Sequence, residues 1–271
     1  MKELICWNNG SFKKLDDVKL SILDFGFIHS DATYDVMKTS NGNIMFFDKH
    51  LTRYTESCKY FSFTPIENVQ NIVDKLLELN NIDNAFVWIC NWRGTPPSGS
   101  PRDMSAPEHQ IIYVKPYYGI ADGAVKLTVH RENKRTPDIT IPQRYKNFNW
   151  LELTRAQRYA DANGYDSAIV LDTNNNISEG PGFGICFVKD GVVRTPAFNC
   201  LTSITIQVVE ELCKKNNIEF QRTNISSIDA DECFICSTSG GITPVSSIDE
   251  VTYTHNITSL LINEYNNETD K

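Results

Sequence analysis

Arg144-Tyr145-Lys146-Asn147-Phe148-Asn149-Trp150 sets one lysine among three aromatic rings. Burying an ammonium is costly unless it is paired or its pKa falls. A lysine whose pKa falls is a nucleophile for carbonyls, and its standard use is a Schiff base. The plainer use of the same residues is a surface lysine that lays its methylenes on the rings and keeps its charge in water. What lies downstream decides between the two.

Three downstream features carry chemistry. Ser178-Glu179-Gly180-Pro181-Gly182-Phe183-Gly184 puts one carboxylate in a glycine-rich bend. Such a carboxylate is commonly a turn residue; beside a pyridine nitrogen it keeps the ring protonated and makes it an electron sink. Leu201-Thr202-Ser203-Ile204-Thr205 immediately precedes a helical pattern, either as an ordinary cap or as a phosphate cradle. Ser237-Thr238-Ser239-Gly240-Gly241 offers hydroxyls and amides in a second such loop. Upstream, Arg53 could supply a fixed positive charge for a phosphate dianion. A lysine, an acid and two phosphate cradles together specify pyridoxal phosphate.

Size and composition set the frame. The chain has 271 residues, 41% of them hydrophobic, enough for one large domain or two of ordinary size. A net charge of -8 argues against nucleic acid as a partner. Apolar runs are too short for a membrane span, and Met1–Leu4 lacks the apolar core of a signal peptide. Eight cysteines scattered through apolar stretches read as reduced core thiols of a cytoplasmic protein. Cys233-Phe-Ile-Cys236 has the spelling of a redox or zinc motif. In a strand, however, that spacing puts the thiols on opposite faces, and no metal site is expected.

The pattern alternates strands and helices. Ser21–His29 reads as strand-like. Thr33–Met37 and Asn43–Phe47 flank the turn Ser40-Asn41-Gly42. Asp48–Phe61 and Glu67–Leu79 have helical spacing; Asn84–Asn91 and Gln110–Val114 are strands around a Pro-, Gly- and Ser-rich loop, Thr95–Pro107. Gly119–Gly123 is a candidate seam. Beyond it lie a strand at Lys126–Arg131, the basic stretch Arg131–Arg144, and a helix at Trp150–Asn163. A β meander follows through Ser167–Leu171, Gly184–Lys189 and Val192–Thr195. Ser203–Asn216 is a helix and Glu232–Ser237 a strand; the tail Asn266–Lys271 is expected to be disordered.

The whole chain resembles the class IV, or fold-type-IV, pyridoxal-phosphate aminotransferases. The resemblance rests on His50-Leu-Thr-Arg53, Lys146, Glu179-Gly180, Ser203-Ile204-Thr205 and Ser237-Thr238-Ser239 with Pro244-Val245, in order and at matching spacing over residues 20 to 250. Ser203 and Ile206 replace a usual glycine and arginine, and neither change removes a phosphate ligand from the main chain. The resemblance implies an α+β chain of two α/β domains with the cofactor, pyridoxal 5'-phosphate, at the domain interface. The expected domains are residues 1–118, a linker at 119–123, and 124–271 carrying the lysine.

The resemblance also implies roles. Lys146 holds the cofactor as a Schiff base and moves the substrate proton. Glu179 pairs with the ring nitrogen. Arg53, Ile204, Thr205 and Ser237 or Thr238 bind the phosphate. His29, Tyr34 and Val36 line the substrate pocket, with Trp88, Phe183 and Ser239 as further walls; Phe183 and Gly184 make one side apolar. Arg102 is the candidate for the substrate carboxylate, with Arg93 second. Phe27–Val36, Lys146–Trp150 and Glu179–Phe183 are most similar to (R)-selective amine transaminases and D-amino-acid aminotransferases. They imply ping-pong exchange between a D-amino acid or (R)-amine and a 2-oxo acid, by a homodimer. Trp88 departs from the Glu common in amine transaminases. The alternatives are a branched-chain L-amino-acid aminotransferase, or a lyase of the aminodeoxychorismate lyase type.

Overall fold

The computed structural model describes residues 3–117 and 123–269. They fall into two compact units: Met1–Tyr118 with Tyr145–Asn149, and Gly119–Arg144 with Trp150–Lys271. Residues 119–122 of the expected linker lie outside the described residues. Sequence alone places Lys146 in the C-terminal domain. The contacts instead group its segment with the first unit, where Thr33 and Ser57 take up its backbone groups.

The first unit is an antiparallel sheet covered by helices. Its strands are β1 (Ile5–Asn8), β2 (Ser11–Lys14), β3 (Ala32–Ser40), β4 (Asn43–Ile44), β5 (Ala85–Arg93) and β6 (Glu108–Pro116). They are ordered β2-β1-β6-β5-β3-β4. The β1–β2 turn is Asn9-Gly10, both with positive φ, as a two-residue hairpin turn requires. The four-residue helix α1 (Phe25–Ile28) precedes β3; α2 (Phe47–Tyr60) and α3 (Val69–Asn80) cross one face of the sheet. Val69, Val73, Leu76, Leu77 and Asn80 of α3 are buried, the stripe of an amphipathic helix. The four apolar ones meet Met37, Val87, Ile89, Ile112 and Val114 from the sheet.

The second unit holds an eight-stranded mixed sheet. Its strands are β7 (Val125–Lys134), β8 (Ser167–Leu171), β9 (Gly184–Lys189), β10 (Val192–Pro196), β11 (Phe220–Thr223), β12 (Glu232–Ser237), β13 (Gly241–Ile248) and β14 (Val251–Thr252). The order is β11-β10-β9-β12-β13-β7-β8, with β14 beside β13. Helices α4 (Leu151–Ala162), α5 (Ile204–Lys215) and α6 (Asn256–Thr269) complete it. The small residues Ala156 and Ala160 let α4 lie close to Ala168 and Val170 of β8. Glu232 caps α6 from the neighbouring strand, accepting from the Ile257 and Thr258 amides at 2.9 and 2.8 Å. No described helix is long and apolar enough to cross a membrane.

Three local expectations are corrected. Ser21–His29 forms no strand: Leu20, Ile22, Leu23 and Phe27 point into solvent and α1 occupies its end. The apolar run therefore has no sheet face to fill. The β meander holds only for β9 and β10; β8 pairs in parallel with β7 at the far edge of the sheet. Residues 266–269 continue α6 rather than a disordered tail, since Leu261 and Tyr265 anchor that helix in the core. The CxxC thiols do split between faces: Cys233 joins the main core cluster, and Cys236 sits beside Cys186. All eight cysteines are free.

Candidate active site

In the first unit, β3 sorts its side chains by alternation. Asp35 turns toward α2, whereas Tyr34 and Val36 face the other way, where Trp88 of β5 lies opposite Val36. Tyr34 and Trp88 stack at 5.3 Å and 8°, and Trp88 stacks on Tyr113 at 6.0 Å. Phe148 leans on Tyr34 at 4.5 Å. The lysine segment runs beside this column. Thr33 Oγ1 donates to the Lys146 carbonyl at 2.7 Å, and the Lys146 amide donates to Ser57 Oγ at 3.2 Å. The Lys146 Nζ then lies 4.7 Å from the Tyr34 ring centroid, a cation–π distance. Lys146 does lie against aromatic rings, but of the three beside it in the sequence only Phe148 joins this column: Tyr145 stacks on Tyr60, and Tyr34, Trp88 and Tyr113 come from distant strands.

Beneath Tyr34, Asp35 is fully buried and held by two residues of α2. Arg53 grips it with two bonds, Nε at 2.7 Å and Nη2 at 2.8 Å, and His50 Nδ1 lies 2.8 Å from Oδ1. Burial works against the Asp35 charge, but Arg53 and His50 outweigh it and hold the carboxyl well below its usual range. Burial pushes His50 down against the pull of Asp35, so the ring is neutral and its Nδ1–H donates. Asp35 thereby fixes the guanidinium of Arg53.

The other expected residues of this unit are less concentrated. His29 is exposed after α1, edge-on to Phe25 at 4.8 Å. Arg102 is exposed in the 94–107 loop, on a turn pinned by Ser98 and Asp103. Arg93 is committed elsewhere: it pairs with Glu108 at 2.7 Å, lies 3.9 Å from Asp31, and covers the Phe63 ring at 4.1 Å. A guanidinium so neutralised is a poor carboxylate receptor.

In the second unit, Glu179 is buried after β8, its backbone bonded to Val170. Arg135 Nε donates to Oε1 at 2.7 Å and the Leu201 amide to Oε2 at 3.1 Å. Arg135 also bonds Glu152 on the first turn of α4. Burial, reinforced by Glu179, pushes the neighbouring Cys200 thiol up to about 12, so it stays protonated.

Leu201–Ser203 lead into α5, where Ser203 Oγ caps the Ile206 amide at 3.3 Å. The amides of Ile204 and Thr205 belong to the first turn, which has no intrahelical acceptor for them. Beside this turn, Ser237 and Ser239 hydroxyls lie 3.0 Å apart and the Gly240 amide donates to Ser237 Oγ at 2.8 Å; Thr238 stands between them, half-buried. Gly184 brings the two loops together. It pairs with Cys236, next to Ser237, and a Cβ on it would sit 2.6 Å from Ile206 Cδ1 and 3.6 Å from Ser203 Cβ. Phe183, expected at a substrate wall, instead packs under Gly180 in the core.

Taken unit by unit, the groups suit the parts of pyridoxal phosphate: in the second, a helix N-terminus and serine hydroxyls suit a phosphate and a buried carboxylate suits a ring nitrogen; in the first, a lysine amine suits an aldehyde and an arginine suits a phosphate. Among the described residues no His, Cys, Asp and Glu cluster could hold a metal ion. The amino-transferase class IV family model matches residues 32–248.

The chain belongs to that family.

Class IV aminotransferases depend on pyridoxal phosphate, and the fold agrees. A Methanocaldococcus jannaschii protein, provisionally named a branched-chain-amino-acid aminotransferase, is 30% identical over 89% of this chain and 86% of its own. The branched-chain-amino-acid aminotransferase of Salmonella typhimurium is 28% identical over 90% and 85%. The D-alanine aminotransferase of Staphylococcus epidermidis is 27% identical over 89% and 88%. Among solved structures, the Thermoproteus uzoniensis branched-chain aminotransferase with norvaline superposes with a TM-score of 0.92 at 21% identity, covering 99% and 96%. The Thermobaculum terrenum branched-chain amino acid aminotransferase in its PLP form gives 0.86 at 21%, covering 99% and 95%.

Sequence reasoning missed several residues that hold the candidate ones in place. Asp35, Arg135 and Glu152 are ordinary charges by spelling; only the fold brings Arg135 to Glu179, 44 positions away. Thr33 and Ser57 likewise carry no local signal. The basic stretch Arg131–Arg144 was visible, but not which of its cations is buried.

Proposed function

We propose that this aminotransferase exchanges the amino group of apolar, branched-chain L-amino acids with a 2-oxo acid. The observation that carries the substrate class is the column of stacked rings beside Lys146, Tyr34 on Trp88 on Tyr113. Such a wall favours an aliphatic or aromatic side chain over a charged one. The names of the curated relatives support the same class over the (R)-amine reading that the motifs first suggest.

Bound pyridoxal phosphate supplies the aldehyde that exchanges amino groups and a ring that withdraws electrons. The protein's part is positional and acid–base. Lys146 would hold the cofactor's aldehyde through its Nζ and, with that amine free, would move the proton of the substrate α-carbon. Its backbone, pinned by Thr33 and Ser57, limits where Nζ can swing. The first amides of α5 and the hydroxyls of Ser237 or Thr238 would hold the phosphate, and Arg53 is the cation assigned to it. Glu179 would take the ring nitrogen, and Tyr34, Val36 and Trp88 would shape the side-chain pocket. The exchange is ping-pong because one amine must leave as an oxo acid before the next enters.

One observation favours a second reading, D-amino acids. Arg102 is exposed on a Gly- and Pro-bearing loop, without an ion pair among the described residues, and could take a substrate carboxylate. A donor panel decides between the two. With 2-oxoglutarate as acceptor, L-leucine, L-isoleucine and L-valine should turn over at least tenfold faster, in kcat/KM, than D-alanine and (R)-1-phenylethylamine, a gap of roughly 1.4 kcal/mol. The opposite order would overturn the branched-chain reading and restore the second. In that event Arg102→Ala should raise KM for D-amino acids by roughly ten- to hundredfold and spare the amine.

A further inference from the structure

Glu179 does not stand alone. Its carboxylate shares Arg135 with a second carboxylate, Glu152, and all three groups are shielded: their side chains are 6, 6 and 12% exposed for Arg135, Glu179 and Glu152. Arg135 uses different edges of its guanidinium for the two, Nε toward Glu179 and Nη1 toward Glu152. The Thr136 amide adds a bond to Glu152 at 3.3 Å, and Asn133 ties down the Glu152 carbonyl. The triad comes from three separate places in the chain: Arg135 just after β7, Glu152 at the start of α4, and Glu179 after β8.

Two carboxylates around one guanidinium leave a net charge of minus one. A buried pair is neutral and self-sufficient; a buried triad with an extra negative charge is costly unless a cation completes it. Among the described residues, neither acid of the triad has another side-chain cation in a salt bridge. The Leu201 amide also bonds the Glu179 carboxylate, and Cys200 beside it stays a neutral thiol.

We propose that Glu152 is a positioning residue for the cofactor ring: by sharing Arg135 with Glu179, it leaves the triad one negative charge that only a protonated ring nitrogen balances. Without Glu152, Arg135 would neutralise Glu179, and the acid would meet the ring as half of a finished ion pair. With Glu152, Arg135 is spent twice, and Glu179 keeps the capacity to hold a pyridinium. Glu152 acts through Arg135 and touches nothing that reacts. Its other effect, a carboxylate on the first turn of α4, is a modest helix-dipole contribution that would not depend on the cofactor's ring.

The inference rests on the proposed role of Glu179, and the test separates the two. Equilibrium affinities of the apoenzyme are measured for pyridoxal phosphate and for 1-deazapyridoxal phosphate, which has a C–H in place of the ring nitrogen. The wild type should prefer the nitrogen compound. Glu152→Gln should cut that preference on the order of tenfold, the size expected for one nearby buried charge, and Glu152→Asp should restore most of it. Glu152→Ala carries the same expectation should the amide variant not fold. Thr205→Val, on the phosphate side, should weaken both compounds alike. If Glu152→Gln keeps the wild-type ratio while Glu179→Gln abolishes it, Glu152 is only a helix residue and the proposal falls. If Glu179→Gln also keeps the ratio, Glu179 does not meet the ring nitrogen, and the proposal falls together with the reading beneath it.

Discussion

Lys146 joins what the first unit does mechanically to what it does chemically. Its main chain is bonded on both sides, to Thr33 and Ser57, while its amine rests on Tyr34. Lys146→Ala should therefore abolish amino transfer and leave folding almost untouched, read as lost turnover with unchanged far-UV circular dichroism. Asp35 is the opposite case, a residue whose removal the fold should feel. Asp35→Ala removes the carboxylate that grips the buried guanidinium of Arg53, which costs about 3–5 kcal/mol, measured as a drop in urea-unfolding free energy at neutral pH. The sign of its pH dependence follows from its depressed pKa. The stabilisation is complete above the unfolded-state value, near 3.9, and drains away as pH falls below it. Asp35→Asn should accordingly flatten the acid limb of a stability–pH curve. A limb as steep as the wild type's would mean that other carboxylates carry it. Lys146, Glu179 and Arg53 were legible in the sequence because motif spacing survives in one dimension. Asp35 and Arg135 were not, because a charge looks the same on paper whether it is solvated or locked into a buried fork.

The N-terminal turn of α5 and the turn from β12 to β13 depend on the strand between them. Gly184 has no side chain, so Ile206 and Ser203 can approach β9 within van der Waals distance. Gly184→Ala should push Ile206 away, at a cost of about 1–3 kcal/mol in stability, and should weaken pyridoxal phosphate binding through the displaced turn. Titration of cofactor fluorescence reads the second effect, and unchanged affinity would unlink the glycine from the cradle. Ser203→Ala should cost about 1 kcal/mol through the lost cap, a smaller and purely local change in the urea midpoint. Elements with strong periodicity, such as α3, α5 and β12, were readable because burial on one face imposes a repeat. The stretch Ser21–His29 was misread because its apolar residues other than Phe25 are solvent-exposed, and exposure leaves no mark in composition. β8 was misassigned because parallel pairing joins strands across a helix, and nothing local announces the partner. The β1–β2 hairpin was in plain sight as Asn9-Gly10 and simply lacked long flanking runs.

Across the whole molecule, cofactor binding should be visible as stability. A ligand that binds only the folded state at a hundred times its dissociation constant adds about 2.7 kcal/mol, so pyridoxal phosphate should raise the melting temperature and the isolated phosphate ion much less. The exposed side chains of Leu20, Ile22, Leu23, Phe27 and Ile28 suit a homodimer, which sedimentation of the holoenzyme should reveal as a species of twice the chain mass; a monomer at all concentrations would remove that assembly. Finally, the first unit is not contiguous in the chain, since Tyr145–Asn149 belongs to it. On a ribosome, a nascent chain that ends at residue 118 has made every strand of that unit yet lacks the segment that satisfies Thr33 and Ser57. Synthesis at about 5–20 residues per second puts the arrival of Lys146 seconds after the sheet it docks on. For that interval the half-made protein presents a slot for its own lysine, and a stalled or truncated product would display that slot permanently to chaperones and proteases.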